Sequence, residues 1–181
     1  MRWVCIVFPQ LALDAVQRMH PAPHEPLALL AGTPQRRVLQ TVNAAAHALG
    51  LRPGQSLTAA HALVNTFACA EYDPVEIERW QQFLAAWAYQ FSSQVSVFYP
   101  RALLFEIESS LGLFGPWPRF EARLRKELTE LGFRHRIVAA PNPAAARVLA
   151  NLYNGLAVAD DQALMRSEEH TSELQSPIRY R

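Results

Sequence analysis

Cysteine is scarce: Cys5 and Cys69 are the only two in 181 residues. Each sits in an apolar run that reads as a buried strand, where cysteine behaves as a small hydrophobe. Two widely separated cysteines exclude a disulfide framework. The six histidines form no short-spaced cluster, so no zinc site is expected. A surplus of charge is also missing. Seventeen basic residues against sixteen acidic ones leave a formal charge of +1, so no global field draws the chain to nucleic acid or an anionic membrane. Long hydrophobic runs are absent too. The opening MRWVCIVFPQ carries a short apolar run cut by Pro9 and no small-residue cleavage site, which reads as a strand and not a signal peptide. Nothing approaches the length of a membrane span, and a cytoplasmic protein is the default expectation. Finally, no Asp or Glu precedes Asp14.

Half of the residues are hydrophobic, enough for one domain, with or without a small inserted lobe. RWVCIVF predicts a strand buried on both faces, and LALDAVQRM a short amphipathic helix. HPAPHEP is a linker; LALLAG and RVLQTV are two strands around GTPQ. NAAAHALG predicts a helix capped by Asn43 and stopped at Gly50, and SLTAAHALV a second one capped by Ser56. TFACAEY reads as a strand. Trp80, Leu84, Trp87 and Phe91 recur at helical spacing as a core-facing stripe. QVSVFYP and ALLFEIE predict paired strands, the second with Phe105 and Ile107 on one face and Glu106 and Glu108 on a solvated one. An amphipathic helix over 118–131 ends at Gly132. HRIVAA is a further strand, followed by a helix with Asn142 as cap and Pro143 in its first position. Two strand-helix passages returning to one sheet predict a split β-α-β fold of the ferredoxin-like kind.

From Arg166 the chain reads RSEEHTSELQSPIRYR, an abrupt shift to Ser, Glu and His without apolar periodicity. It resembles one reading frame of a sequencing-library adapter, so 166–181 is set apart from fold reasoning as an expected assembly artefact.

Three segments in order, WVCIVFPQLALDAV, EPLALLAGTPQRRVLQTVNAAAHALGLRPGQSLTAAHAL and RHRIVAAPNPAAARVLAN, resemble the N-terminal half of the Y-family translesion DNA polymerases. The resemblance is greatest to the catalytically degenerate, ImuB-like branch of bacterial mutagenesis operons. It implies an α/β (α+β) fold, a ferredoxin-like palm with a small helical fingers insertion. The palm would take 1–24 and 67–155, the fingers with their hairpin 25–66, and the start of a truncated thumb 156–165. Thumb and little finger would be missing.

Nucleotidyl transfer by two metal ions requires carboxylates converging on both cations. Active relatives carry one acid on the first strand and an Asp-Glu pair on a later one. The resemblance places Cys5 and Val7 at the first location and Phe98 and Tyr99 at the second. In the fingers, Ala44 and His47 stand where active members hold the triphosphate with tyrosine and arginine, and Pro143 replaces a phosphate-binding lysine. No metal or other cofactor is therefore expected. Arg36, Arg37, Arg52 and Arg147 remain as candidates for weak, sequence-independent DNA contacts. SLGLFG and QLALD resemble clamp-binding peptides but read as core segments.

The resemblance thus implies a non-catalytic scaffold in DNA-damage-induced translesion synthesis. It would link the sliding clamp, a RecA-like accessory protein and an error-prone replicative-type polymerase, without a membrane partner. Two other readings stay open. One is an active lesion-bypass polymerase with a rearranged metal site. The other is a small-ligand-binding domain that only shares the fold.

Overall fold

The computed structural model describes residues 2–19 and 24–158. His20, most of the thumb-like start at 156–165 and the adapter-like tail lie outside the described residues. The chain divides into two compact units, one comprising Met1–Pro9, Gln81–Leu128 and the chain from His135, the other Gln10–Trp80 with Thr129–Arg134.

The first unit holds an antiparallel sheet of β1 (Trp3–Val7), β5 (Val95–Ser96), β6 (Ala102–Glu106) and β7 (Arg136–Ala140), in the spatial order β5-β6-β1-β7. Numbered within this sheet alone, that order is 2-3-1-4, the split β-α-β arrangement that the sequence predicts. β1 lies between β6 and β7, with Cys5 opposite Leu104 and Val138. Both of its faces are covered, which is why its residues form an unbroken apolar run. On one face Cys5, Val7, Ala102, Leu104, Val138 and Ala140 pack against Ala146, Leu149 and Ala150 of α7 (Pro143–Leu152). On the other, Val4, Ile6, Leu103, Phe105 and Ile137 are fully buried.

α4 (Pro74–Ala88) runs from one unit into the other. Within the first unit its Trp87 ring lies edge-on to Phe91, 5.1 Å away, and the Trp87 indole N–H donates to Glu127 of α6 (Trp117–Glu130) at 2.8 Å. α5 (Leu111–Phe114) is a single turn, and Phe114 stacks on Phe120 at 4.9 Å. The stripe and Phe114 are thus packed as expected, but Leu113 is 81% exposed. SLGLFG is therefore not a core segment: only Ser110 is buried, Leu111, Phe114 and Gly115 are half-buried, and Gly112 and Leu113 are exposed, because a helix of one turn has a side facing away from α6. In QLALD, Leu11 and Leu13 are buried.

The second unit has α1 (Leu11–Gln17) and a sheet of β2 (Leu27–Ala31), β3 (Val38–Val42) and β4 (Ala68–Glu71), in the order β3-β2-β4. β2 pairs antiparallel with β3 and parallel with β4. Cys69 is exposed, against the expectation that it is buried. β4 is an edge strand whose Ala68 and Ala70 side pack toward Leu13, leaving the alternate positions outward. α2 (Ala44–Ala48) and α3 (Leu57–Leu63) start where the sequence places them. Asn43 Oδ1 accepts from Ala46 N at 2.9 Å and Ser56 Oγ from Ala59 N at 3.2 Å. Asn43 does more than cap, for its Oδ1 also accepts from Leu27 N and its amide donates to Glu25 O.

Candidate functional site

In the first unit, Cys5 and Val7 lie on the sheet face under α7, with Cys5 at 0% and Val7 at 8% exposure. Burial pushes the Cys5 thiol up to about 12, the nearby Arg147 guanidinium pulling the other way. At neutral pH it stays a protonated thiol, whereas a metal ligand must be the thiolate.

Phe98 and Tyr99 sit in the turn between β5 and β6. Their rings are 5.1 Å apart and perpendicular, and Phe98 is 81% exposed. The turn backbone is held from inside by Gln81 of α4, a residue for which the sequence gives no signal beyond its place on a helix. Its Nε2 donates to Tyr99 O at 2.8 Å and Val97 O at 3.2 Å, and its Oε1 accepts from Arg101 N at 3.0 Å. Arg101 takes the left-handed conformation, φ 57°, that lets the chain reverse into β6.

α7 begins at Asn142, whose side chain accepts from Ala145 N at 2.8 Å, with Pro143 exposed in the first helical turn. One turn on, the Arg147 guanidinium lies over the Tyr99 ring and its Nη1 donates to Asn151 Oδ1. Arg136, at the start of β7 opposite Val7, donates from Nη1 to the Asn151 carbonyl at 2.7 Å. The Nε of each arginine is buried without an acceptor. Arg136 is invisible to sequence reasoning because its neighbour across α7 is set only by the sheet register.

Glu106 and Glu108 do not share a solvated face, in contrast to the sequence expectation. β6 is an inner strand buried at every position and it ends at Glu106; Glu108 is exposed and opens a 3-10 turn over Glu108–Ser110. The Glu106 carboxylate is 5% exposed and accepts from Glu108 N at 2.6 Å and Ser109 Oγ at 3.0 Å. Its acceptors serve to fix that turn.

In the second unit, Ala44 and His47 are both exposed on α2. Arg36 is exposed at the β2–β3 hairpin, while Arg37 is paired with Glu71 on β4. Arg52 turns back on α2, its Nη1 donating to His47 O at 2.6 Å and Leu51 O at 2.8 Å, so it satisfies carbonyls at the helix end. A small, open recess is lined by Ala15, Leu29, Glu71, Asp73 and Trp80, among others. Its acids have partners already, Glu71 in the ion pair and Asp73 in the bonds to Val75 N and Glu76 N that start α4. The buried Asp14 of α1, which no motif singles out, accepts from Arg134 N at 2.8 Å, and burial raises its pKa to about 6.

Among the described residues no group of three or more His, Cys, Asp or Glu could hold a metal ion. The divalent ions implied by the resemblance to active polymerases do not fit Cys5, Val7, Phe98 and Tyr99. A neutral buried thiol, an aliphatic group and two rings offer no anionic oxygen.

The sequence model of the impB/mucB/samB family matches residues 9–151. The chain belongs to that family. Among curated proteins none matches the chain. Among solved structures it is similar to a post-insertion binary complex of Dbh DNA polymerase, with a TM-score of 0.73 and 16% identity over 92% of this chain and 50% of that one. It is similar also to DinB from Sulfolobus solfataricus, with a TM-score of 0.69 and 15% identity over 94% and 57%. A Y-family DNA polymerase chimera, Dbh-Dpo4(243-245)-Dbh, gives 0.68 and 15% over 87% and 47%. This member of the impB/mucB/samB family therefore spans about half the length of those polymerases and has the fold of their palm and fingers region. No described helix is long and apolar enough to cross a membrane.

Proposed function

We propose that this chain is the palm and fingers part of a non-catalytic, ImuB-like scaffold in DNA-damage-induced translesion synthesis. One observation supports the reading: at the positions that the resemblance aligns with the carboxylates of active relatives, Cys5 and Val7 are buried in an apolar core and Phe98 and Tyr99 carry aromatic rings without a carboxylate. Two-metal catalysis needs oxygen ligands at both places. In the fingers, Ala44 has nothing to donate and His47 lacks the fixed fork of an arginine. The partners implied are the sliding clamp, a RecA-like accessory protein and an error-prone replicative-type polymerase, with weak DNA contact through such residues as Arg36 and Arg147.

Primer extension on a template is the direct test, run with magnesium and with manganese. No incorporation is expected under either condition. Template-dependent incorporation that disappears in Glu106→Gln would overturn the proposal, since it would make the buried carboxylate a metal ligand.

A further inference from the structure

Asn154 is the only asparagine of the chain that precedes a glycine. The side-chain amide of an asparagine is open to attack by the backbone nitrogen of the next residue. Glycine hinders that nitrogen least, having no Cβ and the widest freedom in φ. Asn142, by contrast, precedes Pro143, whose nitrogen has no proton to give up. In the fold one residue of the sheet holds both reacting groups. Ile137 of β7 donates its N–H to Asn154 Oδ1 at 3.1 Å, and its carbonyl accepts from Gly155 N at 2.8 Å. A third bond comes from α6, where Arg125 Nη2 donates to Asn154 Oδ1 at 2.9 Å. The electrophilic carbon is thus fixed across the strand and the proton of the attacking nitrogen is engaged, so the two cannot join while these bonds last. Both residues are exposed, and water reaches them freely. What keeps them in place lies just beyond. Ala139 N donates to Leu156 O at 3.0 Å and Val158 N to Ala139 O at 2.9 Å, while Leu156 and Val158 pack on the core under α7.

We propose that Asn154 is a site of spontaneous deamidation whose reaction is gated by the docking of 154–158 onto β7. When that segment lifts, the Gly155 nitrogen gives its proton to hydroxide and forms a bond to Asn154 Cγ. The Cγ–Nδ2 bond breaks, the departing nitrogen takes up a proton and leaves as ammonia, and a succinimide ring remains. Water then opens the ring on one side to aspartate or on the other to isoaspartate. Water is the only co-reactant, and nothing is oxidised or reduced. The two products act differently on the fold. Aspartate keeps an acceptor for Ile137 N and adds a charge pair with Arg125. Isoaspartate inserts a methylene into the main chain, which puts 155–158 out of register with β7. Each opening of the segment is thereby recorded as a permanent covalent change, independently of any polymerase chemistry.

The 181-residue chain is kept at pH 8 in water enriched in heavy oxygen, folded and in urea, and every asparagine-containing peptide is followed by mass spectrometry. In urea, Asn154 is expected to deamidate ahead of all other asparagines. In the folded chain its rate is expected to fall about tenfold or more, because an opening that breaks even one hydrogen bond must come first. Leu156→Ala touches neither reacting group but loosens the segment. It is expected to raise the folded rate about fivefold and to leave the rate in urea unchanged. A measurement on the parent alone keeps the test decisive if that variant fails to fold: in urea below the unfolding transition, exchange of the Gly155 amide and deamidation of Asn154 should accelerate in parallel. The proposal fails if the folded and unfolded chains react equally fast, or if another asparagine leads in urea. It fails also if folded Leu156→Ala reacts as the parent does, or if amide exchange and deamidation respond differently to urea.

Discussion

The guanidinium of Arg147 lies 5.1 Å from the centre of the Tyr99 ring, and that contact joins α7 to the β5–β6 turn. It also holds an arginine beside the turn that carries Phe98 and Tyr99.

Gln81 is the residue on which the turn depends. Replacing it by leucine removes bonds to Tyr99 O, Val97 O and Arg101 N inside the fold. Leaving buried polar groups without partners costs about 1–3 kcal/mol each, tempered by local relaxation. Gln81→Leu is expected to lose about 3 kcal/mol in urea denaturation, with hydrogen exchange in 97–102 accelerated. An unchanged midpoint would show that the turn holds itself.

Asp14 makes stability fall as pH rises. Its carboxyl is 3% exposed, and burial lifts its pKa from 3.8 to about 6 against the opposing bond and charge of Arg134. The folded state therefore keeps a proton that the unfolded state has released between those values. The term favours folding fully below pH 3.8 and is lost progressively as pH approaches and passes 6, a change of roughly 3 kcal/mol. Asp14→Asn keeps an acceptor for Arg134 N. It should be the more stable protein at pH 7.5 and should lack that pH slope, as read from thermal midpoints between pH 4 and 8.

The two cysteines are expected to separate cleanly toward a thiol reagent. Cys69 is exposed, whereas Cys5 is buried with its thiol at about 12. Native protein should release one equivalent of chromophore with a disulfide reagent at pH 8, and urea-unfolded protein two. Rapid labelling of both in the native state would contradict the packing of α7 on β1.

Gly32 has φ +101°, and a Cβ there would fall 2.3 Å from the Arg36 carbonyl oxygen. Backbone, not a pliable side chain, would have to move. Gly32→Ala is expected to cost about 2 kcal/mol or more and to disturb the β2–β3 hairpin, measured by denaturation and amide exchange.

Much of the fold was legible because its signals are local. Asn43, Ser56 and Asn142 each cap the helix that the sequence predicts, and the unbroken apolar run of β1 reflects burial on both faces. What stayed hidden depends on partners far along the chain. The alternation around Glu106 looked half-solvated because it gives no information about what covers the second face. Cys69 looked buried because edge strands and inner strands share a composition. Nor does the sequence show that Arg52 Nη1 turns back onto carbonyls at the end of α2. At the site, residue types show only that Cys5, Val7, Phe98 and Tyr99 carry no carboxylate. They could not show that Arg136 and Arg147 meet at Asn151, which is a product of register and helix placement.

After α7 the chain returns along the outer side of β7, Ala139 N bonding to Leu156 O and Val158 N to Ala139 O. This short parallel bridge shields one flank of the sheet, and the opposite flank is the two-residue β5. Neither border offers a long run of unpaired amides for a second molecule to zip onto. Any shortened version ending before Leu156 would strip that shield, so self-association through β7 is the hazard to design around when trimming the protein.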